Sequence, residues 1–120
     1  TFPDPSRDGL PALDRTHPLK TRFAAKLFAA VEGQAEARVV GDRGTFTLRW
    51  NAEAAGHLGL WLDYGGWPAE APVSQISLAP TTAPMESLAD AVAGGKAVWL
   101  QPGETREWSL SISIEAARES

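Results

Sequence analysis

Apolar and polar residues alternate with a period of two along most of the chain beyond residue 22, and that period predicts strands rather than helices. The alternation is clearest over residues 108–114, where Trp108, Leu110, Ile112 and Ile114 share one side and Ser109, Ser111 and Ser113 the other. Residues 35–40 and 45–50 form a second pair of runs, with Phe46, Leu48 and Trp50 opposed to Thr45, Thr47 and Arg49. The Gly41-Asp42-Arg43-Gly44 link between them has hairpin-turn chemistry. In residues 58–63, Leu58, Leu60 and Leu62 face one way and Gly59, Trp61 and Asp63 the other. After Gly65-Gly66-Trp67-Pro68, Ile76 and Leu78 continue the apolar face, opposed by Gln75, Ser77 and Ala79.

Two stretches are less regular. Residues 22–31, RFAAKLFAAV, leave helix and strand both open, since the alanines permit a helix but the stretch before Gly33 is short; a strand would place Phe23, Leu27 and Val31 on one face and Lys26 and Phe28 on the other. Residues 87–92 precede Gly94-Gly95 and suit one or two helical turns, with Ser87 as N-cap and Asp90 near the positive end of the dipole. A strand is expected over 97–100 and a turn at Gln101-Pro102-Gly103-Glu104. Pro3, Pro5, Pro11 and Pro18 make residues 1–20 an extended lead-in, because each ring removes a backbone donor. Seven or so short strands with turn signals between them predict an all-β fold, an antiparallel β-sandwich over 21–116, followed by a polar tail at 117–120. There is no internal repeat.

Composition narrows the function. A chain of 120 residues with 43% hydrophobic content suits one domain. The net charge of -4 leaves no basic stripe, which argues against a nucleic-acid partner. Zero cysteines excludes thiolate chemistry and suits a reducing compartment, so a cytoplasmic location is expected. No apolar run approaches bilayer-spanning length, so no membrane partner is expected. Phosphate loops, nucleophile elbows and paired metal-ligand spacings are absent, and His17 and His57 read as loop or surface residues, so neither a metal nor a cofactor is expected.

The remaining chemistry suits a sugar. A pyranose has an apolar C–H face and a hydroxyl rim, so its site needs a flat aromatic surface beside carboxylate, amide or ammonium groups. Trp61 and Trp67 with Lys26, Asp63 and Gln75 supply both. The competing reading makes the two indoles ordinary core, Lys26 a solvated strand residue, and Asp63 a shaper of the Gly65-Gly66 turn. Trp50, Trp99 and Trp108 read as core because each stands beside aliphatic residues at strand period.

The LGLWLDYGGWP run at 58–68, the LAPTT run at 78–82 and the PMESL run at 84–88, with AAKLF at 24–28, together resemble the C-terminal part of the galactose mutarotase-like (aldose 1-epimerase) family. The resemblance implies that residues 22–31 are a strand, and that the fold is a β-sandwich that binds sugar on a concave sheet. It also implies anomer interconversion by a Glu base and a His acid, a pair with separated pKa values. The base position falls on Ala79, and the acid histidines lie outside the matched stretch; Asp63 and Glu86 are the substitutes to weigh. The expected function is therefore a carbohydrate-binding, mutarotase-like domain with impaired catalysis. The alternatives are an active aldose 1-epimerase or sugar-phosphate epimerase relative with catalytic groups from outside this chain, and a structural or dimerisation domain. The family domain is longer than this chain, which implies a fragment or a homodimer that completes the sandwich.

Overall fold

The computed structural model describes residues 14–117, and within them the chain is all-β apart from a 3-10 turn at Leu19–Thr21 and one short helix. Six strands follow in order: β1 (Phe23–Ala30), β2 (Gln34–Gly41), β3 (Gly44–Asn51), β4 (His57–Tyr64), β5 (Ser74–Thr81) and, after helix α1 (Leu88–Ala93), β6 (Leu110–Ala116). They form two antiparallel three-stranded sheets, β1-β4-β5 and β2-β3-β6. The expected lead-in falls partly outside the described residues. Its described end closes into the 3-10 turn, with Arg22 in the left-handed region at φ 57.

The period-two pattern forms the core as it predicts. Leu58, Leu60, Leu62 and Tyr64 of β4 meet Ala35, Ala37, Leu48 and Trp50 of the other sheet, with Phe23, Leu27, Phe46, Ile76 and Leu78 packed around them. Trp50 is 2% exposed and donates its indole N–H to the Ala55 carbonyl at 2.8 Å, so its polar edge is satisfied where its ring is buried. The β2–β3 hairpin turns at Asp42-Arg43 and carries the Arg49–Glu36 ion pair at 2.8 Å on its outer face. Ser87 caps α1 by accepting the Asp90 amide, and Pro102-Gly103 form the expected turn, with Gly103 at φ 80 and Glu104 N–H bonded to Gln101 O at 2.9 Å.

Three expectations fail. Residues 97–100 are not a strand: the Lys96 and Ala97 amides both return to the Ala91 carbonyl, which holds the segment against α1 and away from any sheet. Trp99 and Trp108 are 69% and 56% exposed rather than core. His57 is the first residue of β4 and half-buried, not a loop histidine. In each case the local pattern identified an apolar or polar type, but burial depended on which distant element lay opposite.

Candidate functional site

β4 is the middle strand of its sheet, so its two faces see different worlds. The face bearing Leu58, Leu60 and Leu62 is core; the opposite face carries His57, Gly59, Trp61 and Asp63. Register fixes their neighbours in rows across β1, β4 and β5: Ala24-Asp63-Gln75, Lys26-Trp61-Ser77, Phe28-Gly59-Ala79 and Ala30-His57-Thr81. Directly opposed residues lie about 4.5–5.5 Å apart at Cβ, close enough for adjacent rows to form one surface.

The Lys26-Trp61-Ser77 row is the open part of this surface. Lys26 and Ser77 are exposed and Trp61 is half-buried. The Trp61 ring meets Trp67 edge to face, 6.2 Å between centroids and 80° between planes, and Trp67 is 58% exposed. Lys26 Nζ lies 3.5 Å from Glu86 Oε1 and 5.8 Å from the Phe28 ring centroid. Both partners of that ion pair are open to water, so the pair contributes little to stability and its groups remain free to exchange partners. Glu86 lies beyond β5 in the chain, and its contact with Lys26 brings it to this face.

Asp63 belongs to the same face but to a different task. It is 0% exposed, and its carboxylate accepts from Gly66 N–H at 3.1 Å, Trp67 N–H at 3.2 Å and Gln75 Nε2 at 3.3 Å. Those bonds shape the turn that carries Trp67. Gly66 is required there: a Cβ would lie 2.5 Å from Ala24 N and from Phe23 C. Gly65 has φ 86 and donates to Val73 O, closing the loop between β4 and β5. Asp63 is thus taken up by the turn, whereas Lys26, Trp61, Trp67 and the exposed Gln75 meet solvent.

The positions weighed for catalysis are also located. Ala79 stands beside Gly59, over which the Phe28 ring lies, with no ionisable group in its row. His57 begins the next row, and its Nδ1 is buried without a hydrogen-bond partner. Tyr64 points into the core, where burial raises its phenol above the ordinary 10.0 and keeps it protonated. His17 packs edge-on against Tyr64 at 5.3 Å, on the core side of β4. Among the described residues no group of three or more His, Cys, Asp or Glu side chains is placed to hold a metal ion. No helix among them is long and apolar enough to cross a membrane.

Sequence reasoning weighed Glu86 only as a base and left His57 off this face. His57 was legible there, since it shares parity with Gly59 and Trp61; the contact of Glu86 with Lys26 spans sixty residues of chain and had no local signal. Comparison with protein-family models, with curated proteins and with solved structures gave no match.

Proposed function

We propose that the outer face of the β1-β4-β5 sheet binds a monosaccharide or a simple sugar derivative, and that the domain acts in recognition rather than in turnover. The observation that carries this reading is the right-angled pair of Trp61 and Trp67 beside the solvent-open Lys26–Glu86 pair. One indole offers a flat surface to the C–H face of a pyranose, and the ammonium, carboxylate and Ser77 hydroxyl offer donors and acceptors to its rim. Turnover is not part of the reading because mutarotation needs a base and an acid across the ring, and the row at Ala79 supplies neither.

A second reading rests on Glu86, whose solvent-open carboxylate stands beside Lys26 and would serve as the base of an aldose 1-epimerase. Freshly dissolved α-glucose and α-galactose, followed by NMR with the full chain and a buffer control, separate the two. Perturbed sugar signals at an unchanged rate of anomer equilibration support binding. Faster equilibration that is lost in Glu86→Gln supports the enzyme. Sugar signals and rates that do not move, with tryptophan fluorescence also unchanged, remove both readings for these sugars.

A further inference from the structure

Between α1 and β6 the chain runs as two arms, 97–100 and 105–109, joined by the Gln101–Glu104 turn. No strand ladder joins the arms, so the space beside them stays open. There, facing the loop after β3, lies a cleft of about 690 Å³, the size of a small-molecule site. Its walls are held by the protein's own bonds. In the loop, Asn51 Oδ1 accepts from Glu53 N–H at 2.9 Å, Asn51 O accepts from Ala54 N–H at 3.0 Å, and the buried Trp50 indole ties Ala55 O to the core at 2.8 Å. In the arms, Ala97 N–H donates to Ala91 O at 3.1 Å and Glu104 N–H to Gln101 O at 2.9 Å. Arg106 crosses from the second arm to the loop, its Nη2 donating to Glu53 O at 3.5 Å.

Three kinds of group line this cleft. Val98, Leu100 and Trp108 are apolar and stand open to water, at 46%, 56% and 56% exposure. Arg106 is the cation of the lining; it forms no ion pair among the described residues, and one long bond to a carbonyl leaves most of its N–H donors open. Glu53 and Glu107 bring two carboxylates, and neither is in an ion pair among the described residues. A simple anion would meet Arg106 but be opposed by both carboxylates, and a simple cation would leave the guanidinium unanswered. A molecule bearing one carboxylate and one ammonium answers both signs. Its body must be apolar to cover Trp108, Val98 and Leu100. We infer that the cleft binds a free α-amino acid with an apolar side chain, its carboxylate on Arg106, its ammonium toward Glu53 and Glu107, and its side chain against Trp108. The inference is independent of the sugar reading, which concerns the outer face of the β1-β4-β5 sheet.

Calorimetric titration of the full chain with L-leucine and L-phenylalanine tests it, with saturable binding expected for both. L-leucinamide lacks the carboxylate and N-acetyl-L-leucine lacks the ammonium, so each should bind about tenfold more weakly than L-leucine, the loss of one charge-assisted contact. Arg106→Gln should bring L-leucine down to the level of its amide, and the double variant Glu53→Gln, Glu107→Gln down to the level of its N-acetyl form. All three side chains are exposed, so these variants keep the fold, checked by circular dichroism. Arg43→Gln removes the same charge from the exposed turn of the β2–β3 hairpin and should leave the affinity unchanged. In amide NMR the signals that move should belong to 98–100 and 105–109. No binding of either amino acid at millimolar concentration overturns the inference, as does an affinity that Arg106→Gln leaves intact. N-acetyl-L-leucine binding as tightly as L-leucine would also overturn it, since the site would then take a peptide C-terminus. Signals that move only on the β1-β4-β5 sheet would place the amino acid elsewhere and overturn it too.

Discussion

Asp63 shows how one carboxylate can be read two ways from the same letters. Beside Trp61 and Gln75 it suits a sugar rim; two residues before Gly65-Gly66 it suits a turn, since a short acidic side chain can accept from backbone amides just ahead of it. The structure gives it the second task, with two turn amides and the Gln75 amide converging on a fully buried carboxylate. Asp63→Ala should then cost about 1–3 kcal/mol in chemical denaturation, because Gly66 and Trp67 N–H groups lose their acceptor in a part-buried turn. It should also loosen the Trp67 indole, seen as a red-shifted or quenched tryptophan emission. If stability were unchanged while sugar binding vanished, Asp63 would be a ligand contact after all. Lys26 is the converse case: its half-open ion pair with Glu86 contributes little to the fold, so its replacement tests binding almost alone.

At the scale of the strand, the alternation of residue types fixes which face points where, and β4 carries the sharpest form of that statement. Leu60 is 1% exposed on the core side and Trp61 is half-buried on the outer side of the same strand. Leu60→Ala should cost roughly 2–5 kcal/mol as a cavity in the core. Trp61→Ala should cost clearly less in a urea melt while removing the aromatic surface offered to a sugar; the reverse ranking would mean the strand is inside out. The alternation in β2, β3, β4, β5 and β6 was legible in the sequence because each face repeats at every second residue, whereas the alanines of β1 fit a helix as well as a strand. What alternation cannot carry is the identity of the covering layer. Trp108 and Ile112 have the same pattern as Phe46 and Leu48, yet lie outside the cover of the other sheet. Residues 97–100 have the apolar content of a strand, but no neighbouring strand offers a ladder and two of the nearby amides turn back to Ala91. The reach of Glu86 to Lys26 was illegible for the same reason, being a product of loop path rather than local preference.

At the scale of the molecule the two layers are unequal partners, and this sets how stability should behave. Leu48 and Trp50 of β3 lie under the β1-β4-β5 sheet at 3% and 2% exposure, whereas Ile112 and Ile114 of β6 are 58% and 77% exposed. A side chain under the cover leaves a cavity when it is shortened, whereas one outside it gives up surface that water already reaches. Leu48→Ala should therefore cost roughly 2–5 kcal/mol in a urea melt. Ile114→Ala, on the same face of the same sheet, should stay within about 0.5 kcal/mol. Equal losses would mean that the β6 row is covered in solution and that the two layers are not unequal after all.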